Sequence, residues 1–155
     1  MTPAIKLAKQ RNITHRVHDY VHDPASESYG LEAAEKLGVS EARVFKTLVV
    51  SLDNKELAVA IIPVSSTLSM KLIAKAAGAK KAVMGAPAEV ERSTGYVLGG
   101  VSPLGQKKRL KTVLDLSAKA FATIYVSAGK RGLEIELAPS DLLLLVNGQL
   151  ADIKL

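Results

Sequence analysis

The sequence predicts an α+β fold built on a curved or closed mixed sheet. Three observations lead there. About seven short runs rich in β-branched and apolar residues read as strands, and turn residues join several of them as antiparallel hairpins. The helical segments between them recur too irregularly for a doubly wound parallel sheet. At 155 residues the chain suits one hydrophobic core better than two, so a single domain spanning 1–155 is expected. With no Trp and only two Phe, that core must be filled by Leu, Val, Ile and Ala.

Thr2-Pro3 opens the first helix, with Thr2 as N-cap and Pro3 at the first helical position, and the helix should end by Asn12. Ile13 to Tyr20 reads as a strand. Ile13, His15, Val17 and Asp19 share one face, and Thr14, Arg16, His18 and Tyr20 form a largely polar other one. The strand points His15 and His18 to opposite faces, and no carboxylate or cysteine completes a ligand set with them and His22. No metal site is expected, and the histidines read as solvated. Asp23 to Ser28 is a loop. Tyr29 to Leu37 is a helix, with Leu31, Ala34 and Leu37 on one face and Gly38 as its stop, and Ser40 caps one further turn.

Val44 to Val50 is the strand that matters most. Both of its alternating sets are mainly apolar, which is the pattern of a strand covered on both sides. Lys46 interrupts one set. Its ammonium must snorkel out of the sheet or enter a polar cavity, and as an edge-strand lysine it would instead discourage sheet pairing; the seven residues leave both readings open. Asp53-Asn54-Lys55 makes a hairpin turn to a second apolar strand, Leu57 to Val64.

Ser65-Ser66-Thr67 supplies an N-cap for a helix through Leu68, Leu72, Ile73 and Ala76 that Gly78 ends. Lys80 to Met84 is a brief strand, Pro87 starts a helix that stops near Gly95, and Tyr96 to Leu98 returns to extended structure. Gly99 to Gly105 holds three glycines and a proline in seven residues, permitting positive φ and exposed amides. Strands follow at Leu110 to Leu116 and Ala122 to Ser127. The turn Gly129 to Gly132 leads into Leu133 to Leu137, whose clean alternation implies a solvated face carrying Glu134 and Glu136. Pro139-Ser140 caps a helix over Asp141 to Val146, and Leu150 to Ile153 adds a last extended piece.

Composition narrows the chemistry. With no cysteine the protein has no disulfide, thiolate metal site or thiol nucleophile of its own. The amino terminus lacks the apolar core of a signal peptide and no apolar run approaches bilayer length, so a soluble cytoplasmic protein with no membrane contact is expected. The net charge of +6 is concentrated at Lys107, Lys108, Arg109 and Lys111, a surface that suits a polyanion or a solvated basic face alike. No nucleophile elbow, phosphate loop, zinc-protease motif or dinucleotide fingerprint is present, and no cofactor is implied. Lys46, Thr47, Tyr20, Tyr29, the Gly99 to Gly105 loop and Ser127 remain as a polar lining. Such a set can orient an ester and stabilise charge on its carbonyl, without an obvious nucleophile or base.

Several ordered blocks carry a resemblance. They are Tyr29-Gly30 with Ala33-Ala34 and Leu37-Gly38; Val44-Phe45-Lys46-Thr47-Leu48; Arg92 to Tyr96 through Gly99 to Lys108; and Ile124 to Ser127 through Gly132 to Leu137. Together they make the chain similar, over nearly its whole length, to the YbaK/EbsC family, free-standing relatives of the editing domain inserted in bacterial prolyl-tRNA synthetases. Within it the Cys-tRNA(Pro) deacylases look nearest. The resemblance implies a largely antiparallel, barrel-like sheet surrounded by helices, and a pocket for the aminoacyl end of tRNA beside Lys46. It implies that the substrate's own cysteine sulfur attacks its ester, and that prolyl-tRNA synthetase is a partner. On this reading Lys46 is catalytic, and Tyr20, Tyr29, Thr47, Gly99, Gly100 and Ser127 contact substrate. Lys107, Lys108, Arg109 and Lys111 would hold the tRNA. Ala128 departs from the pattern, standing where a second glycine is expected, which puts close backbone approach there in question. The alternatives are a deacylase for Ala-tRNA(Pro) or another small amino acid, and a non-catalytic module that binds tRNA or a synthetase.

Overall fold

The computed structural model describes residues 1–53 and 55–155. Five α-helices and eight strands follow in the order α1 (Pro3–Gln10), β1 (His15–Asp19), α2 (Tyr29–Leu37), β2 (Phe45–Leu52), β3 (Leu57–Pro63), α3 (Met70–Ala76), β4 (Ala82–Met84), α4 (Pro87–Thr94), β5 (Lys111–Asp115), β6 (Ile124–Lys130), β7 (Leu133–Leu137), α5 (Pro139–Val146) and β8 (Gln149–Ala151) among the described residues, with a short 3-10 helix over Leu116–Ala120 after β5. The expected turn Asp53-Asn54-Lys55 includes Asn54, which lies outside them. Most of these elements are where local chemistry puts them. Thr2 caps α1, its hydroxyl accepting from the Ile5 amide and donating to the Ala128 carbonyl, while Gly38 and Gly95 end α2 and α4 in the left-handed conformation.

The strands form two sheets. One is antiparallel, in the order β1-β7-β6, and the other is mixed, in the order β4-β2-β3-β5-β8. Within the second, β2 is antiparallel to β3 and β4, whereas β3, β5 and β8 run parallel. The expected closed, barrel-like sheet is therefore corrected. The two sheets meet through a bridge between Val44 and Tyr125, where the Tyr125 amide donates to the Arg43 carbonyl at 3.1 Å. One bridge does not make a continuous ladder, so the hydrogen-bonded wall stays open beside it.

All seven residues of β3 are buried, as a strand covered on both faces requires. Leu57, Val59 and Ile61 face a core shared with Phe45, Val49, α1, α5 and the three-stranded sheet. Ala58, Ala60 and Ile62 face α3 and Ile153. A smaller cluster of Ala33, Ala34, Val44, Val64 and Tyr125 lies under α2. Among the described residues no helix is long and apolar enough to cross a membrane.

Several local expectations are overturned by packing. The helix expected to be capped within Ser65 to Thr67 and to include Leu68 starts at Met70, because the Ser69 hydroxyl takes the Leu72 amide; Leu68 instead bridges to Lys154. Tyr96 to Leu98 forms no strand. The Tyr96 phenol donates to the Leu104 carbonyl at 2.6 Å and the Gly100 amide to the Val97 carbonyl at 3.0 Å, folding the segment back on itself. Leu31, expected to share a face with Ala34 and Leu37, is exposed because α2 buries Glu32, Ala33 and Ala34; Val17 is exposed too, and β1 turns His18 toward Tyr125.

Candidate functional site

The open stretch of wall between the two sheets is where a site forms. Along one edge of β2, Val44 meets β6 and Val50 to Leu52 meet β4, so Lys46 to Leu48 have no strand beside them there among the described residues. The Val64 amide donates to the Val44 carbonyl, which in an antiparallel register turns the backbone of Lys46 and Leu48 toward β3. Thr47 then presents its own N–H and C=O to the gap. Its side-chain oxygen adds to this: Oγ1 is buried with no hydrogen-bond partner among the described residues. A buried, unsatisfied hydroxyl costs on the order of 1–3 kcal/mol, so a partner delivered by a ligand would be stabilising.

Around that edge lies a cavity of about 320 Å³, at the small end of the range for ligand pockets. It is lined by the buried Glu134 and the half-buried Lys46, Thr47, Tyr20, Tyr29, Gly99 and Ser127, which make its floor and walls, and by the exposed Glu27, Leu98, Lys130 and Arg131 at its rim. Lys46 is half-buried, and burial pulls its ammonium below the usual lysine range. Among the described residues no carboxylate pairs with it. Although β2 lies inside the five-stranded sheet, Lys46 stands at a local edge of it, and both of its sequence readings, edge position and polar cavity, meet at this residue. It occupies the one part of that strand whose neighbour is missing.

Six of the residues singled out from the sequence line this cavity: Lys46, Tyr20, Tyr29, Thr47, Gly99 and Ser127. Gly100 does not. Its amide is engaged by Val97, and its role is close packing, because a Cβ there would come within 2.8 Å of the Lys130 Cα. Gly99, at φ +89°, sits under Arg131, where a Cβ would meet the guanidinium at 2.5 Å. Ala128 is fully buried in the main core, and the tight contacts of that segment fall on Gly129 and on Gly100 against Lys130, so the departure from glycine obstructs nothing. The Ser127 hydroxyl accepts from the Gly129 amide at 3.1 Å. Burial, helped by the charge of Glu134, pushes the Tyr20 phenol up to about 12.

Sequence reasoning missed Glu134, Lys130 and Arg131. Glu134 was assigned to a solvated face of β7, yet it is 7% exposed and burial pushes its carboxyl up to about 8. Glu136, on the same face, is partly buried, bonded to Thr123, to Arg43 at 3.2 Å and to His18 at 2.9 Å. The alternation of β7 was real, but the face it marked as polar carries the bonds of Glu136 to His18, Arg43 and Thr123 and borders the cavity at Glu134. The histidines expected to be solvated also have partners: His22 bonds Glu32 at 2.6 Å and His15 the Ile13 carbonyl at 2.6 Å. Among the described residues no group of three His, Cys, Asp or Glu side chains could hold a metal ion.

The basic residues Lys107, Lys108, Arg109 and Lys111 do not line the cavity. Lys108 and Arg109 border a depression against α1 with Arg11 and Gly105, and Lys111 donates to the Ala77 carbonyl at 2.9 Å. The segment from Val101, on the cavity wall, to Lys108 joins the two regions.

A family profile and a relative of nearly the same length carry the comparison with known proteins. A profile described as an aminoacyl-tRNA editing domain matches residues 23–145. The chain is 40% identical over 152 residues, 98% of its length and 92% of the relative's, to an Enterococcus faecalis protein named "Putative Cys-tRNA(Pro)/Cys-tRNA(Cys) deacylase EbsC". It is 31% identical to the uncharacterised Bacillus subtilis protein YwhH, over 82% of this chain and 80% of that one. Among solved structures, the hypothetical protein APE2540 superposes with a TM-score of 0.87 at 26% identity, covering 99% of both chains. A structure described as a "putative trans-editing enzyme for prolyl tRNA synthetase" superposes at 0.86 and 23% identity, covering 99% of this chain and 95% of that one, a likeness of fold.

Proposed function

The chain belongs to the aminoacyl-tRNA editing domain family, and from that premise we propose that it is a trans-editing deacylase that removes cysteine from mischarged Cys-tRNA(Pro). All 155 residues serve as one editing domain. The observation that carries the reading is Lys46: among the described residues it is a half-buried lysine with no carboxylate partner, in a cavity that offers polarising groups and hydroxyls, none of which bonds a histidine base. The chain has no cysteine, and the Ser127 hydroxyl accepts from the Gly129 amide with no histidine base bonded to it among the described residues. An ester that brings its own nucleophile needs only to be gripped and polarised.

In the proposed reaction the cysteinyl sulfur attacks its own ester carbonyl. A carbon–sulfur bond forms, the bond from carbonyl carbon to the ribose oxygen breaks, and the thiol proton ends on that oxygen, giving a cyclic thioester and free tRNA. Lys46 supplies positive charge to the oxygen on which negative charge develops. A weakly solvated ammonium does this better than one in bulk water, because nothing must be stripped from it first. Thr47 gains the hydrogen-bond partner that its hydroxyl lacks, and the Gly99 backbone and Ser127 border the carbonyl end. Glu134 faces the substrate's α-ammonium: it is held neutral by burial when alone and ionises when a cation arrives. Tyr20 and Tyr29 form the walls. Lys107, Lys108, Arg109 and Lys111 hold the acceptor stem, and prolyl-tRNA synthetase, as partner, supplies the choice of tRNA that so small a cavity cannot read.

The test is a deacylation panel of Cys-tRNA(Pro), Ala-tRNA(Pro) and a seryl-tRNA with wild type and Lys46→Ala. Cysteine should be released well ahead of alanine and serine, and Lys46→Ala should lower the rate by about 10²-fold or more while the fold is retained. Equal release of alanine and cysteine refutes thiol assistance and favours the small-amino-acid deacylase. No release above buffer, with tRNA affinity that depends on Lys46, favours the binding module.

A further inference from the structure

We propose that Arg131 recognises the 5′-phosphate of the terminal nucleoside, making the site selective for an ester on a nucleotide over the same ester on a free nucleoside. The inference rests on the reading that the cavity takes the aminoacylated end of a nucleic acid. Arg131 stands in the turn between β6 and β7, with its guanidinium carbon 3.8 Å above the centre of the Tyr29 ring. Beneath it Gly99 leaves the space that any larger residue would fill, since a Cβ would lie 2.5 Å from Nε. One hydrogen bond, at 3.4 Å from a terminal guanidinium nitrogen to the Leu98 carbonyl, is the long contact that holds it to the loop.

The side chain is thus oriented without being consumed. A guanidinium has five N–H donors in a fixed plane, and a ring face orients that plane while leaving its edges for an acceptor. Among the described residues no carboxylate forms a salt bridge with Arg131; Glu27, the acidic residue on the same rim, is exposed. Lys130 adds a second positive charge to that rim. A cavity of about 320 Å³ has room for little more than one aminoacylated nucleoside, so the next group along the chain has to leave by the rim. In a nucleic acid that group is a phosphodiester, and planar bidentate contact with phosphate oxygens is what an oriented guanidinium does best.

The experiment compares the affinities of adenosine and adenosine 5′-monophosphate, by calorimetry in phosphate-free buffer, for wild type, Arg131→Ala and Arg131→Lys. Wild type should bind the monophosphate about tenfold or more tightly than adenosine, a ratio that falls close to one in Arg131→Ala and to an intermediate value in Arg131→Lys, whose point charge lacks the fork. A ratio near one in wild type, including no measurable binding of either ligand, overturns the proposal. So does a ratio that survives in Arg131→Ala, as it would if the arginine merely braced Tyr29 and both ligands weakened together. A wild type that prefers the phosphate but releases no amino acid from any mischarged tRNA tells against the deacylase reading alone.

Discussion

Glu134 and Lys46 meet the same difficulty with opposite charge. Both are taken partly out of water on the floor of one cavity, and burial disfavours the ionised form of each, raising the carboxyl and lowering the ammonium. The carboxyl makes a stability prediction. An acid whose folded pKa is raised binds more protons folded than unfolded, so its stabilisation is complete below the ordinary carboxylate pKa and is lost as pH climbs toward about 8. Glu134→Gln removes that loss. The variant should match wild type near pH 4, gain on it through neutrality and level off above about pH 8, with a final advantage on the order of 5 kcal/mol. Urea unfolding at three pH values measures it; parallel curves for the two proteins would show that the carboxyl is solvated in the folded state. The same calculation explains why such a residue signals function: the fold is less stable for keeping it.

Among the elements, β2 and β5 are organised by what stands at their ends. The open edge of β2 exists because β4 is three residues long and reaches only to Val50, and because β6 leaves after one bridge at Val44. At the end of β5, Asp115 is fully buried and fastens two segments: its carboxylate accepts from the Ser117 amide at 3.0 Å and from the Ile153 amide at 3.1 Å. That ties the chain's last residues to the sheet, against the core that includes Ile153. Asp115→Ala leaves the buried Ile153 amide and the partly buried Ser117 amide and hydroxyl without their acceptor and should cost roughly 3 kcal/mol. Asp115→Asn, which keeps one acceptor oxygen, should cost less. Chemical denaturation orders the three proteins, and equal stability of the alanine variant and wild type would mean that water replaces the carboxylate. Neither contact alters the cavity, so the deacylation rate per folded molecule should be unchanged.

Over the whole molecule, charge and cavity are separate features. The excess of 21 basic over 15 acidic residues is spent partly at the rim, on Lys130 and Arg131, and partly at Lys107 to Lys111 beyond the Gly99 to Gly105 loop. If the second group grips an acceptor stem, replacing Lys108 and Arg109 by alanine should weaken tRNA binding and reduce its salt dependence by about one to two in the slope of log K against log salt. Release of amino acid at saturating tRNA should hardly change. An unaltered slope would leave this face without contact to phosphate.

The sequence by itself determined the local structure and much of the site. Caps at Thr2, Gly38 and Gly95, the doubly apolar pattern of β2 and β3, and the isolated lysine at 46 are properties of short stretches, and six of the marked lining residues do share one cavity. Tertiary structure alone decided what depends on two distant segments meeting. It split the sheet in two where a closed one was expected, because closure needs a ladder between β2 and β6 that local propensity cannot specify. It covered the polar face of β7, making Glu134 a buried acid instead of a solvated one, and it laid Arg131 across Tyr29 and Gly99. Alternation along a strand tells which residues share a face; only the packing of other elements decides whether that face meets water.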